Sequence, residues 1–520
     1  MLNKNVQTPT STGHRSIPYC DQIIIAMLLV IIIAVPLYFD IHLHSVFDLS
    51  KITILYVLTF AILAVWSIKT IISCPSEPHS QASRQNRTEP PVHGQDIGFQ
   101  QRLRQPLILP ILAFLFVSGF ATIFSINPYL CLVGTYKRYG GFISTIVYIS
   151  LFFIIIHFID KKRLRSLINI IILTACFASI YGILQNFGLD LYSWSTSFGY
   201  GIRVSATFGH PAFFSAFLIM AIPLVLIKIF SNLPEQFDRQ TNKAAMVGTG
   251  ASSNFRCSTF LYLGILALLI VAFYYTKTRA SFLGLLISNI FFFSLIGKKN
   301  LLANKSKTIA AVTIIISLSI FFNVSDGTSV VGRFIDDVEP ALLDSKEHSP
   351  FLEDSYEEVG IASKFEGTML TRIFQYTTGL KIIHDYPVLG IGPDTLGMIY
   401  SQYFVKAYKE KGEYRHFENQ NRIHSDFLDM AVSRGLLGLG VYLWLIFAYA
   451  RMVWKGYKRA NDSDKALIIG LCAGCLAYFI QNQFSFDHVP IITLFWFLIA
   501  MSVIASSVTY SPPDEMENQA

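Results

Sequence analysis

Apolar residues fall into long runs separated by short polar stretches, near 23–39, 51–73, 107–124, 141–159, 166–186, 208–230, 259–276, 280–296, 308–323, 431–450, 466–485 and 489–508. Each is close to the roughly 17 to 25 residues a membrane-spanning helix requires. The runs do not alternate between apolar and polar positions. They therefore predict helices rather than the strands of an outer-membrane barrel, which alternate over about 10 residues. The expected fold is all-α, a polytopic membrane bundle of about twelve helices.

The longest polar interruption, 324–430, separates the ninth and tenth runs. Its first part, "DDVEPALLDSKEHSPFLEDSYEEVG", is acidic and irregular, as expected of a solvated surface. In "MLTRIFQYTTGLKIIHDYP", Leu370, Ile373, Phe374, Thr377, Leu380 and Ile383 follow helical spacing, and Pro387 marks a stop. After "VLGIGPD", Asp394 is expected to cap a second helix with a stripe of Leu396, Ile399, Tyr400, Tyr403, Phe404, Ala407 and Tyr408. Two amphipathic helices beside a bundle would form a lid over one of its faces.

Composition agrees with the pattern. Of the residues, 52% are hydrophobic and 14% charged, with a mean hydropathy of +0.48, whereas a soluble domain carries about 25% charge. The net charge of +7 does not point to nucleic acid, because the Lys and Arg lie scattered between apolar runs as topology signals. With the N-terminus cytoplasmic, basic residues crowd the inside loops, as in 161–165, 298–307 and 451–465. The short outside loops hold Lys51, Lys137, Arg138, Arg203, Lys277 and Arg279. This places both termini in the cytoplasm and the segment 324–430 outside. The first run, Ile23 to Phe39, lacks a following small-x-small cleavage site and reads as an uncleaved helix.

The resulting organisation is a membrane bundle of nine helices over 1–323, an outer loop with amphipathic helices over 324–430, and helices 10–12 with a cytoplasmic tail over 431–520. Segments 74–105 and 231–256 read as cytoplasmic linkers. Cys472 and Cys475 form a CxxC inside an apolar run, where small residues serve helix packing rather than redox or metal chemistry.

Ionisable residues at the ends of membrane helices are costly and mark candidate function. On the outer face these are Arg279 before the eighth helix, Arg203 before the sixth, Arg372 on the first lid helix, and His424 before the tenth. Together they could line one cavity. An Arg fork binds phosphate oxygens with two parallel hydrogen bonds, and a His suits proton transfer from an attacking hydroxyl. The alternatives are headgroup snorkelling for Arg203 and Arg279, an ion pair with Asp385 for Arg372, and local capping for His424. His210 reads as a satisfied core histidine. A metal site built from His424, Asp426 and Asp429, with His416 and Glu418 nearby, fits no recognised ligand spacing, and no metal or cofactor is expected. Asp426 and Asp429 are expected to begin the tenth helix, Arg422 is an auxiliary phosphate contact, and Arg434 is a packing or headgroup residue.

The pieces "GTYKRYGGFISTIVY", "RVSATFGHPAFFSAFLIMAIPL", "TKTRASFLGLL", "TRIFQYTTGLKIIHDYPVLGIGP" and "HSDFLDMAVSRGLLGLGVYL", in this order, resemble the O-antigen ligase family, which includes related polymerases and protein O-oligosaccharyltransferases. The resemblance implies a metal-independent cell-envelope glycosyltransferase of the bacterial inner membrane, with the outer loop in the periplasm. It implies a donor glycan on undecaprenyl diphosphate and a lipid, glycan or protein acceptor. It further implies that Arg279 and Arg372 hold the diphosphate and that His424 serves the acceptor hydroxyl. Arg203, His210, Arg422 and Tyr376 are the other candidate substrate contacts. The chain departs from the family pattern at Ser425, commonly Asn, and at Tyr376, commonly Trp. A glycan or lipid transporter is the alternative from another class; it would place ionisable residues near mid-membrane.

Overall fold

The computed structural model describes residues 16–73, 102–136, 138–190, 192, 203–230, 251–325, 369–408 and 419–507. The acidic part of the outer loop, most of both linkers, His416 and Glu418 lie outside the described residues. The helices are α1 Ser16–Leu37, α2 Asp48–Ser73, α3 Ile108–Ile123, α4 Pro128–Val133, α5 Phe142–Phe158, α6 Lys161–Asn186, α7 Pro211–Phe230, α8 Ala251–Tyr275, α9 Arg279–Ile296, α10 Lys298–Ala303, α11 Lys305–Ser325, α12 Met369–Asp385, α13 Leu396–Tyr408, α14 Asp426–Arg459, α15 Asp462–Asn482 and α16 Val489–Ser507.

Every expected apolar run is a helix. Ten are long and apolar enough to cross a membrane, and the shorter apolar helices α3 and α5 occupy the other two expected positions. The chain is a polytopic helical membrane protein. In lipid this is forced, because only a helix or a closed barrel satisfies its backbone groups internally.

Similar apolar sequences have different burial. In α7 and α16, 94% of the apolar window is buried, against 6% in α11. The centre is α7, α15 and α16. Gly470 and Gly474, one turn apart on α15, let it approach α7 so closely that an added Cβ would lie 2.1 Å from Ile227 and 2.9 Å from the Met220 carbonyl oxygen. Small residues of this kind bring membrane helices into van der Waals contact where no hydrophobic driving force separates protein from lipid. Cys472 and Cys475 flank this seam as free thiols.

Outside the main core, α12 and α13 enclose a second apolar cluster of Ile382, Ile391, Leu396, Tyr400, Phe404, Ile423 and Val432. From the stripe expected on α13, Leu396, Tyr400 and Phe404 belong to this cluster, and Ile399 and Tyr403 pack against it. On α12 the buried face is different: Gln375, Thr378 and Ile382 are buried, whereas Leu380 is exposed. Gly379 sets this rotation by letting α12 settle against Ile423.

The tenth expected helix is broken rather than continuous. Gly435 has φ 68° and ψ −176° inside α14. The freed groups are taken up by the segment after α12: Leu436 N donates to Pro387 O at 2.7 Å, while Ile391 N donates to Val432 O at 2.9 Å and Gly392 N to Ser433 O at 3.0 Å. Non-helical backbone is tolerated at such depth when protein covers it. The "VLGIG" stretch is thus a splint across the break. Changing Gly435 to Ala would force a Cβ to 2.0 Å from the Val388 oxygen and leave an L-residue at positive φ, a strain of about 1–3 kcal/mol before the clash. The expected outcome is a clearly lowered melting temperature in detergent; a melting point equal to the parent's would contradict the splint.

Candidate functional site

One end of the bundle gathers the starts of α2, α5, α7, α9, α14 and α16 with the ends of α1, α8 and α15. Polar bonds tie these ends together. Lys51, fully buried, donates to the carbonyls of Val35, Pro36 and Tyr38 at 2.9–3.0 Å, capping the end of α1. Thr207 donates to Pro36 O at 2.8 Å, Ser215 on α7 meets Ser281 on α9 at 2.7 Å, and His488 is bonded to Asp48.

His424 lies at this end in the loop before α14, with φ 61°. Its ring meets the edge of Phe486 at 4.8 Å between centroids and 72°. Burial pushes its pKa down to about 2, and the nearby positive charges of Arg372 and Arg138 add to the effect, with His210 and Arg422 behind them. The ring is neutral in ordinary buffers, and its Nδ1 is buried without a hydrogen-bond partner.

Arg372 comes from α12, where burial lowers its pKa and Nη1 donates to Gln375 at 3.2 Å. No ion pair with Asp385 forms among the described residues; Asp385 instead accepts from Tyr403 at 2.7 Å. One turn after Arg372, Tyr376 donates to the carbonyls of Gln483 at 3.3 Å and His424 at 3.5 Å, joining α12 to both loops. His210 precedes α7 and accepts from Ala212 N at 3.1 Å. Burial, then Arg203, lowers its pKa to about 3. Arg203 donates to Thr276 O at 3.0 Å and Thr278 Oγ1 at 3.2 Å, which sets it beside the first residue of α9, Arg279. Six of the seven expected residues therefore fall into two groups, and His210 lies within electrostatic reach of Arg203 in one and of His424 in the other. Arg372, Tyr376, Arg422 and His424 surround the start of α14, and Arg203 with Arg279 sits at the α8–α9 junction.

Phe486, which His424 contacts, also lines a cavity of about 120 Å³ together with Arg138, Arg422, Arg434, Asp394, Asp426, Asp429, Asp487 and His488, among others. Most of these were read from sequence as caps or not at all. Asp394 does not cap α13. Its carboxylate is 1% exposed and pairs with Arg422 at 3.2 Å. It also accepts from Thr135 N at 2.6 Å, Thr135 Oγ1 at 2.9 Å and Gly140 N at 3.1 Å. Burial opposes the charge on Arg422, but Asp394, Asp429 and Asp487 more than offset it and raise its pKa. A Cβ at Gly140 would meet Arg422 Nη2 at 2.5 Å, so a larger residue there would displace the guanidinium.

Asp429 does serve the helix start, accepting from Ile423 N at 2.7 Å. Asp426 bonds the Tyr442 hydroxyl across the break in α14. Arg434 is a packing residue, donating to Ser118 at 2.9 Å and lying 5.2 Å from the Phe114 ring. The loop "SFDH" between α15 and α16 was missed in the sequence because it interrupts two apolar runs without any spacing motif. Phe486 touches His424, and Asp487 accepts from Tyr478 at 2.5 Å and Asn482 at 2.6 Å. Among the described residues no group of three or more His, Cys, Asp or Glu is placed to hold a metal ion.

Residues 264–443 match the family model described as O-antigen ligase. Over this segment the chain is similar to the O-antigen ligase family. The O-antigen ligase match includes Arg279, Arg372, Tyr376, Arg422 and His424, whereas Arg138, Arg203 and His210 precede it and Phe486 follows it. It supports a membrane glycosyltransferase in the broad sense. No curated protein matches the chain.

Arg422 has a role besides any substrate contact. Arg422→Gln removes the cation from a buried pair, a change that typically costs about 3–5 kcal/mol. The expected result is a large loss of thermal stability in the purified protein. Unchanged melting would show that the Thr135 and Gly140 donors suffice for Asp394.

Proposed function

We propose that this protein transfers a glycan from undecaprenyl diphosphate to an acceptor hydroxyl, at a site on the periplasmic face of the bacterial inner membrane, with both termini in the cytoplasm. The observation that carries the reading is a neutral, half-buried histidine with an unpartnered ring nitrogen, set among arginines at one end of the bundle. The O-antigen ligase match over the same residues supports it.

In this reading the acceptor hydroxyl approaches His424 and gives up its proton as its oxygen attacks the anomeric carbon. The bond from that carbon to the diphosphate oxygen breaks, and the negative charge moves onto the leaving diphosphate. Arg372 and Arg279 bind that charge, with Arg203 beside Arg279. Such donors act most strongly in a site from which water is partly excluded. Burial, with the charges of Arg372 and Arg138 adding to it, makes free His424 a weak base. A bound diphosphate offsets their charge and raises the histidine pKa, so base strength is supplied together with the donor.

The ionisable residues of the candidate site gather at one end, and among the described residues no ionisable chain runs through the middle of the bundle to favour a transporter. Polymerase and protein-glycosylating enzymes would use the same chemistry on different acceptors. A strain lacking the gene distinguishes them. Unattached polymer indicates a ligase, single repeat units indicate a polymerase, and proteins without glycan indicate protein glycosylation.

His424→Ala is expected to lower transfer by about 10²–10⁴-fold, and Arg279→Gln or Arg372→Gln by roughly 10²–10³-fold each, in stably folded protein assayed with lipid-linked glycan. Unchanged transfer in all three would overturn the proposal. Because free His424 is already neutral, its protonation should produce no acid limb in kcat/KM near the ordinary histidine pKa of about 6.5. The limb belongs below pH 5; one near 6.5 that disappears in His424→Asn would contradict the assigned environment.

A further inference from the structure

Three arginines line the cavity near His424, and two have partners within the fold. Arg422 pairs with Asp394, and Arg434 donates to Ser118 and Ser433. Arg138 differs. It follows α4 in the loop leading to α5, and its guanidinium lies 4.3 Å from the centroid of the Phe486 ring. Among the described residues its side chain makes no hydrogen bond and no ion pair. Asp48, Asp394 and Asp429 act on it only through their fields, and Arg422 repels it.

A guanidinium has five N–H donors, and a buried charge is ordinarily paired and hydrogen-bonded. The fold instead supports Arg138 by an aromatic face, which attracts the cation without using its in-plane donors. The other contacts of that ring place the support within the site: Phe486 meets His424 at 4.8 Å and Phe213 at 5.4 Å. Arg138 and Arg372 are also the two charges acting most strongly on His424.

We infer that Arg138, held on Phe486, is a further anion-binding residue of the site, taking an oxygen of the donor's diphosphate beside His424. The inference rests on the glycan-transfer reading for the origin of the ligand, but its chemistry is that of any diphosphate ester. Phe486 is then a positioning residue that sets the distance between the cation and the histidine. The other bonds of the cavity serve the same end: Arg422 is paired with Asp394, while Asp426 accepts from Tyr442, Asp429 from Ile423 N, and Asp487 from Tyr478 and Asn482, which leaves Arg138 without a carboxylate partner among the described residues.

The test is binding of inorganic pyrophosphate to the full chain in nanodiscs, followed by calorimetry and by the rise in melting temperature on saturation. The parent is expected to bind saturably. Arg138→Gln should weaken binding at least tenfold and abolish most of the rise. Arg138→Lys keeps the charge but not the fork and should lose affinity several-fold while melting normally without ligand. Phe486→Leu should weaken binding while Arg138 remains present.

If Arg138→Gln only lowers the melting point of the free protein and binds pyrophosphate as the parent does, Arg138 is structural and the inference is overturned. It is equally overturned if only Arg279→Gln or Arg372→Gln weakens binding, or if the parent binds no pyrophosphate. Glycan transfer measured separately with lipid-linked donor judges the wider reading. Transfer that is intact in Arg138→Gln but lost in His424→Ala would refute this inference alone.

Discussion

A buried ion pair holds the His424 end of the bundle together. Asp394 forms an ion pair with Arg422 through one oxygen and accepts hydrogen bonds from Thr135 and Gly140 on the other. Its partners come from the loop between α4 and α5 and the loop before α14, while Asp394 itself lies between α12 and α13. Burying a charge is costly unless it is paired and fully bonded, so none of these segments can move without exposing or stranding the others' polar groups. The loop that carries Arg138 and the loop that carries His424 are therefore fixed relative to each other by a group that belongs to neither.

The break in α14 works alongside this knot. A continuous helix would use all its backbone groups internally. At Gly435 several are released, and the chain after α12 bonds to them. The α12–α13 pair is thereby attached to the bundle through backbone bonds at the splint, through Asp394 at the knot, and through the Tyr376 hydroxyl at the His424 and Gln483 carbonyls. Arg372 derives its place from these attachments, since its own described bond is to Gln375 one turn away.

Much of the fold was legible because membrane helices announce themselves by length and composition, and every expected run is a helix. Which helices are central was not legible, since α7 and α11 are both apolar and only packing distinguishes them. The candidate site was legible where a charge interrupts an apolar run at a helix start, as at Arg279 and His424. It was not legible where burial gives a residue its meaning. Asp394 looks like a helix cap in the sequence, and its true partners in the α4–α5 loop are about 250 residues away along the chain. Phe486 carries no local signal, and Arg138 stands in the sequence only as an outer-loop charge within "GTYKRYGG", because a cation resting on a ring requires two loops to meet. The splint was hidden for the same reason, although Arg434-Gly435 and the repeated Gly of "VLGIG" mark both of its sides.

The central claim is that Asp394 locks these segments as one unit. Hydrogen exchange of the full chain with Asp394→Asn, compared with the parent, tests this most directly. The account predicts that amides in 138–141, 391–396 and 421–425 lose protection together and by similar factors, with the α7, α15 and α16 core unchanged. Loss confined to the residues next to Asp394, with the His424 loop as protected as before, would contradict it.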